Sequence, residues 1–301
     1  MAYPTDTFTS ADLAVFTPEI WGAKVNDIFK CSLNLANFFT DRSDEVRDGG
    51  DVLHTPNFSE MSANTKTTGA FVTLNSPTET EVQLTINTHK EVSFVIEDAQ
   101  RAQVARSMRV LETYATNAAY TTARVLEAAI AALFSSFTTQ LGASTTNVAD
   151  SDLRNAISAL DTNCVPVDMT DDLAFIFHPN TFWKQYMSAD KFSLSINTAD
   201  VNNPTRMPTY RVYGIKIITS NLVPNVSGAN GRYNVLAHKD AIHWAAAPLP
   251  VRSDTGYIGA SNVRLQSQYR QELLGELVTA DLFFGVVKNR DNAAVEILSV
   301  A

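Results

Sequence analysis

An α+β fold drawn out well beyond a compact ball is what this sequence predicts, and two adjoining segments carry the prediction. From Val82 to Ile96 the even positions are Val82, Leu84, Ile86, Thr88, Lys90, Val92, Phe94 and Ile96. That is period-2 alternation, interrupted only by Thr88 and Lys90 at its centre. A single strand over these residues reaches about 50 Å, where ordinary strands run to about 5–6 residues. Directly after it, Glu97 and Asp98 place negative charge at a helix N-terminus. Val104, Met108, Leu111, Ala115, Ala118, Thr122, Val125, Ala129 and Leu133 then step by threes and fours, with no Pro or Gly between 98 and 135. One helix over that span is about 55 Å long. A compact chain of 301 residues is roughly 50 Å across. Each element alone spans that distance, so the chain is expected to find neighbours outside itself.

The remaining elements follow in order. Residues 1–16 are polar and Thr-rich, and Thr17-Pro18-Glu19 reads as a helix start, with Thr as N-cap and Pro at the first helical position. The helix carries Ile20, Trp21, Val25, Ile28 and Phe29, an apolar stripe that has to dock on something. Asp48-Gly49-Gly50-Asp51 turns into a strand over 52–58. Residues 59–81 are dominated by Thr, Ser, Asn and Gly, which reads as a long hairpin tip without a core of its own. After the long strand and helix, Gly142–Asp150 reads as a linker and the best domain boundary. Ser151-Asp152 is expected to cap a helix carrying Leu153, Ile157 and Leu160. A short buried strand follows at Leu173–Phe177, and Pro179-Asn180 starts a helix with Phe182, Trp183 and Tyr186. Residues 188–209 read as a surface loop, 210–220 and 233–237 as strands, and 263–273 as a second long strand. Leu277–Val287 and Ala294–Val300 close the chain as strands.

Bulk properties exclude several functions. A net charge of −9 and a pI near 5.0, with 23 scattered basic residues, leave no basic face for sequence-specific nucleic-acid binding. The start MAYPTDTFTS has no basic region followed by an apolar core, and no run of 18 apolar residues offers a membrane span. Cys31 and Cys164 have no metal spacing and read as buried free thiols. The five histidines form no metal-binding pair. His238 and His243 read as strand-surface or turn residues on opposite faces. Asp168, Asp171 and Asp172 read as a capping loop better than as a metal cage. Dinucleotide, P-loop and hydrolase-elbow motifs do not occur. No catalytic residue, cofactor or metal is expected.

In their order along the chain, these pieces resemble the major capsid proteins of tailed bacteriophages, the Hong Kong 97-like shell fold. The likeness rests on TPEIWGAKV (17–25), GGDVLHTPNF (49–58), THKEVSFVIEDAQRAQ (88–103), DLRNAISALDTNCVPVD (152–168), LAFIFHPNTF (173–182), YGIKIITSNLVP (213–224) and RQELLGELVTADLFFGVVKNRDNAAVEIL (270–298). None of these is specific alone; their fixed order carries the weight. The resemblance implies an N-terminal arm over 1–46 and an extended loop over 47–91 lying across a neighbouring subunit. It implies a peripheral domain with a long spine helix over 92–145 and 256–276, and an axial domain over 146–255 and 277–301. It further implies hexamers and pentamers forming an icosahedral shell around double-stranded DNA, assembled in the host cytoplasm and without enzymatic activity. Trp21, Phe58, Lys66, Phe71, Asp190 and Lys191 are then the residues expected at contacts between subunits. A portal, a separate scaffolding protein and possible decoration proteins are the expected partners, with no membrane. The scaffold is expected to be separate because only about 16 residues precede the first helix, where some relatives carry a scaffolding segment. Some relatives also crosslink a loop lysine to an asparagine; Lys66, at the loop tip, reads instead as solvated or ion-paired. Alternatives are an encapsulin-type compartment shell, a β-rich tail or adhesion protein, and a cytoplasmic α/β enzyme.

Overall fold

A computed structural model describes residues 30–103, 110–168, 171–186, 211–226, 230–251, 256–258 and 262–301. The expected arm helix with Trp21, and the loop carrying Asp190 and Lys191, lie outside the described residues. In chain order the first elements are α1 (Leu35–Phe38), β1 (Thr40–Asp41), a 3-10 turn (Ser43–Val46), β2 (Val52–Asn57), β3 (Thr80–Thr85) and β4 (Thr88–Glu97). Then come α2 (Asp98–Gln103), α3 (Val110–Ala132), a 3-10 turn (Leu133–Ser136), β5 (Gln140–Gly142), α4 (Asp150–Thr162), β6 (Leu173–Phe177) and a π-helical turn (Thr181–Tyr186). The last third holds β7 (Arg211–Val212), β8 (Ile215–Thr219), β9 (Gly231–His238), β10 (Ile242–Ala247), β11 (Gly256–Ile258), β12 (Arg264–Arg270), β13 (Gly275–Lys288) and β14 (Ala294–Val300).

Two six-stranded sheets and a hairpin organise these elements. In the first sheet β13 is the shared strand. Its residues 275–284 pair with β4 along one edge, while β10 and β12 share the other edge end to end. The second sheet runs β5-β14-β9-β6-β8-β7. β2 and β3 pair only with each other, from Val52↔Thr85 to Asn57↔Thr80. The boundary expected at 276/277 falls inside β13, which runs through it unbroken.

The single long strand expected over 82–96 is two strands in two sheets. The chain bends at Ile86-Asn87, where the Ile86 N–H bonds to the Asp51 carbonyl at 2.7 Å. Alternation survives the bend because each half keeps its even residues inward. Leu84 and Ile86 pack with Val46 and Ala245, whereas Phe94 meets Tyr114 on α3. Periodicity reports which face is buried, not which strand lies alongside. Helix is present at both ends of the predicted 98–135 span and closes in a 3-10 turn; residues 104–109 lie outside the described set.

The buried side of α3 is also turned by one residue from the expected stripe. Ala118 and Thr122 are buried as read, but the core beyond them is built from Leu126, Ile130 and Phe134, with Val125, Ala129 and Leu133 only partly covered. Both sheets meet over this end of the helix. Ile176, Val235 and Ala237 come from the second sheet, and Ile242, Trp244 and Phe284 from the first. Junction with a second sheet displaces the stripe, because the helix must fill a corner rather than lie flat on one layer.

A second core lies under α4, where Leu153, Ala156 and Leu160 cover Phe175, Phe177, Leu236 and Ile297. The cap lies two residues before the expected Ser151: Ala149 is the N-cap, and Asp152 accepts from its N–H at 3.0 Å. An alanine side chain cannot return that bond, so half of a capping box is present. The stretch read as a linker is tied down. Val148 is buried with its N–H on Gln185, and Thr146 accepts from the Val300 N–H. Cys31 and Cys164, expected to be buried, are exposed; Cys164 sits just past α4 in the left-handed region (φ 57°), where its side chain points away from the core.

The turned stripe yields a paired test. Leu126→Ala should cost about 2–5 kcal/mol, as core truncations do, whereas Val125→Ala should cost clearly less. Thermal unfolding of both variants decides it; equal losses would restore the stripe read from the sequence.

Candidate inter-subunit surfaces

β2 and β3 present a long loop at their far end. Every residue from 58 to 81 is exposed. The apolar side chains among them are left in solvent: Phe71 is 100% exposed, Leu74 86% and Phe58 77%, with Met61 and Val72 alongside. Only local polar bonds shape this tip. Asn64 donates to Asn75 at 2.9 Å, Asn75 donates to the Ser62 carbonyl at 2.6 Å, and the Thr78 N–H reaches the Ser59 hydroxyl. Lys66, expected to be solvated or ion-paired, is exposed and donates to the Thr67 and Ala70 carbonyls of its own turn.

Of the expected contact residues, the structure therefore places Phe58, Lys66 and Phe71 on one protrusion. Met61, Val72 and Leu74 share that surface and were missed. The signal was available, since any apolar residue in a segment too polar to build a core is a surface residue.

The root of the hairpin is held firmly. Leu84 and Ile86 are buried with Val46 and Ala245, and Leu53 packs beside them. Next to the root, an open groove of about 530 Å³ runs between β4, α3 and β13, lined by Thr85, Lys90, Val125, Ala129, Phe284 and Val286. Among the described residues Lys90 is the one titratable group lining it, and no acid–base pair converges there.

Charges elsewhere serve joints between strands. Asp281, only 3% exposed, sits on β13 opposite Arg264 of β12 and Glu91 of β4. Arg264 binds both its oxygens, Nε to Oδ1 at 2.9 Å and Nη2 to Oδ2, and His89 Nε2 shares Oδ2 at 3.0 Å. Burial alone pushes the Asp281 carboxyl up, but the bonds from Arg264 and His89 outweigh it and hold the pKa below the ordinary 3.8. Asp171 and Asp172 of the acidic trio pair with Arg211 and Lys239, at 2.9 and 3.0 Å. Among the described residues no group of three His, Cys, Asp or Glu side chains is placed to hold a metal. No described helix is long and apolar enough to cross a membrane.

Two β-sheets joined over the end of a long helix, with a hairpin projecting an unpartnered loop, define a capsid-type shell subunit, and solved structures share that fold. "Capsid structure of the Cyanophage P-SCSP1u" matches with a TM-score of 0.74 at 16% identity, covering 99% of this chain and 96% of the other. "Mycobacterium phage Che8" matches with a TM-score of 0.72 at 18% identity, covering 94% and 97%. "Capsid of native GTA particle computed with C5 symmetry" covers 99% and 100% with a TM-score of 0.66 at 11% identity. No curated protein matches the chain. The phage capsid protein family model matches residues 78–273, more than half of the sequence, and the chain belongs to that family. It is a structural protein of a phage capsid with the Hong Kong 97-like fold, not an enzyme.

The joint at Asp281 can be tested by acid. Its folded pKa is depressed, so its stabilisation is present above the ordinary value of 3.8 and is lost as pH falls through the lower folded value. Asp281→Asn should cost about 3 kcal/mol near neutral pH, the scale for breaking a buried pair. Its deficit relative to wild type should shrink towards pH 2. A constant difference in midpoint across that range would remove the carboxylate from the argument.

Proposed function

We propose that this chain assembles, through its projecting loop, into hexamers and pentamers that close as an icosahedral shell around double-stranded DNA. The observation that carries the reading is the loop tip: five apolar side chains from Phe58 to Leu74 stand in water on a protrusion with no core of its own. Burying each against a neighbour stabilises by about 1.5–3 kcal/mol, and a head-to-tail contact of this kind closes into rings. Phe58, Lys66 and Phe71 act in that contact. Trp21, Asp190 and Lys191 take part in further contacts from the arm and from the loop expected around 188–209.

In this reading residues 1–46 are the arm and 47–91 the extended loop. Residues 92–145 and 256–288, with β10, form the peripheral domain, because β13 runs unbroken through the expected 276/277 boundary and β10 pairs with it, and the rest of 146–255 with 289–301 forms the axial domain. Net charge of −9 suits a wall that encloses DNA without sequence-specific binding. Assembly takes place in the host cytoplasm with a portal and a separate scaffolding protein, and decoration proteins can add to the outside.

Negative-stain microscopy of expressed protein, with assay of nuclease-resistant DNA in native particles, tests this. Closed shells holding long duplex DNA are expected; shells filled with protein cargo instead would select a compartment shell. Phe71→Asp combined with Leu74→Asp should leave the subunit folded by circular dichroism yet reduce shell yield at least about tenfold, since two exposed side chains add nothing to the isolated fold. Normal shells from this variant would overturn the role of the loop.

A further inference from the structure

The segment that enters the first sheet, residues 34–46, is fastened along β10 by bonds of high density. β1 lies parallel to β10, with Thr40↔His243 and Asp41↔Trp244 in register. The Arg42 N–H bonds to the Trp244 carbonyl at 2.8 Å, and the Ala246 N–H to the Ser43 hydroxyl at 3.0 Å. Trp244 donates its indole N–H to the Ala36 carbonyl at 3.0 Å. Glu127 of α3 receives the Leu35 and Ala36 N–H groups, both at 2.9 Å.

His243 stands in the middle of this seam, 7% exposed. Its Nδ1 lies 3.4 Å from Arg42 Nη1 and its Nε2 lies 3.2 Å from Asn289 Nδ2. A guanidinium can only donate, and so can an amide NH₂. A neutral imidazole has one nitrogen that accepts and so meets one of these donors, while its single N–H faces the other. An imidazolium has two N–H groups and no acceptor. Turning the Asn289 amide, whose Oδ1 is buried without a partner, would relieve the Nε2 side at the loss of the bond from Nδ2 to the Asp240 carbonyl at 3.1 Å. The Nδ1 side would still point a proton at Arg42.

The charges around the ring are mixed. From the 42–46 segment come Arg42 and Glu45, from the turn before β10 Asp240, and from beyond β13 Arg290. Glu45 is engaged by Arg42 and Asp240 by the Thr40 hydroxyl at 2.7 Å, and the polar neighbours at hydrogen-bond distance from the ring are Arg42 and Asn289 instead. Burial, then Arg42, holds the His243 pKa below the ordinary 6.5, with Asp240 and Glu45 opposing.

From this geometry we infer that His243 is an acid-sensitive latch: neutral, it holds residues 40–46 on β10, and on taking up a proton it frees that segment from the sheet. The sign follows from linkage. A depressed folded pKa means the stabilisation is complete above 6.5 and is lost as pH falls through the lower folded value. Glu127 works in the opposite sense. Burial raises its pKa against the bonds from Ala36, Leu35 and Asn34, so the fold as a whole favours its protonation rather than opposing it. His178 is also depressed, to about 4, by burial and by Arg232, but it lies beyond β6 in the second sheet and cannot report on residues 40–46.

Amide hydrogen exchange of the assembled protein, read by mass spectrometry on peptides covering 40–46 and corrected for the intrinsic pH dependence, tests the latch. Opening of this segment should increase by up to about tenfold per pH unit below the ordinary histidine value until the folded value is reached. Peptides of β6 and β14 should hold their protection over the first of those units. His243→Gln replaces the imidazole with a polar amide that cannot titrate, and should flatten the response. Glu127→Gln should leave it in place. Should His243→Gln fail to fold, the slow exchange of the imidazole Cε1 proton in the wild-type protein gives the site's own titration. A midpoint below 6.5 that coincides with the opening of 40–46 supports the latch. A segment whose opening ignores pH, an unchanged response in His243→Gln, or a His243 midpoint at or above 6.5 overturns it.

Discussion

The direction in which the hairpin leaves the body is set by one close approach of main chain to main chain. A Cβ at Gly285 of β13 would stand 2.1 Å from the Thr85 carbonyl oxygen and 2.8 Å from its carbon. Only a residue without a side chain lets the hairpin root cross β13 at this point. Beyond the crossing, the chain turns and runs back along the same strand, with Thr88 opposite Phe284. Ile86, one residue past the contact, drops into the cluster with Val46, Leu84 and Ala245. Widen that contact by a methyl group and Ile86 leaves its pocket, β4 loses its starting register, and the outward loop loses its aim.

That crossing also explains where the sequence could be read and where it could not. β6 was legible because five consecutive apolar residues, Leu173–Phe177, are buried on both faces between β8 and β9. β14 and most of β13 were legible for similar reasons, and the outward loop because Thr, Ser and Asn crowd out apolar residues. The bend at Ile86-Asn87 was not, since its cause lies two hundred residues away at Gly285. The turned face of α3 depends on a second sheet arriving over Leu126 and Ile130. The burial of His243, read as a surface or turn histidine, depends on β1 covering β10 from the far end of the sequence. Local pattern carries burial periodicity; it carries no information on which distant backbone supplies the cover. Of the loop surface, Phe58, Lys66 and Phe71 were named from the sequence, while Asp281, Glu127 and Asn289 had no local signature beyond a polar residue in an apolar run.

Those polar residues have a common placement. Glu127 joins α3 to α1, Asp281 joins β12, β13 and β4, and Glu296 of β14 takes the Gln140 amide of β5 at 2.8 Å. Each lies within the interior and bridges segments far apart in the chain. For Glu127 and Glu296 burial raises the pKa, so the fold bears a cost for keeping them. An apolar pair of equal volume would be at least as stable. It would also tolerate a shifted register, because apolar surface has no direction. A buried carboxylate accepts only where its donors stand, and the Leu35 and Ala36 N–H groups stand in one place. Polar joints in this molecule therefore fix how elements align rather than how strongly they adhere.

A shell subunit faces a further constraint, because its most exposed apolar residues must not bring copies together in the wrong way. The composition of the loop meets it. Phe58, Met61 and Leu74 stand apart among polar residues, and the one run, Ala70-Phe71-Val72, is only three residues long, so no extended sticky strand edge forms. Pro56 and Pro77 lack the N–H that an intruding strand would need. Ordering so polar a loop costs conformational entropy along its whole length, and five apolar side chains offset only part of it. A surface that fixes the loop must therefore also satisfy its main-chain groups, which sets a geometric demand that random encounters between subunits rarely meet. In the proposed assembly, the sparse apolar content of the loop acts as selectivity: contact becomes favourable only where backbone bonding and apolar burial occur together.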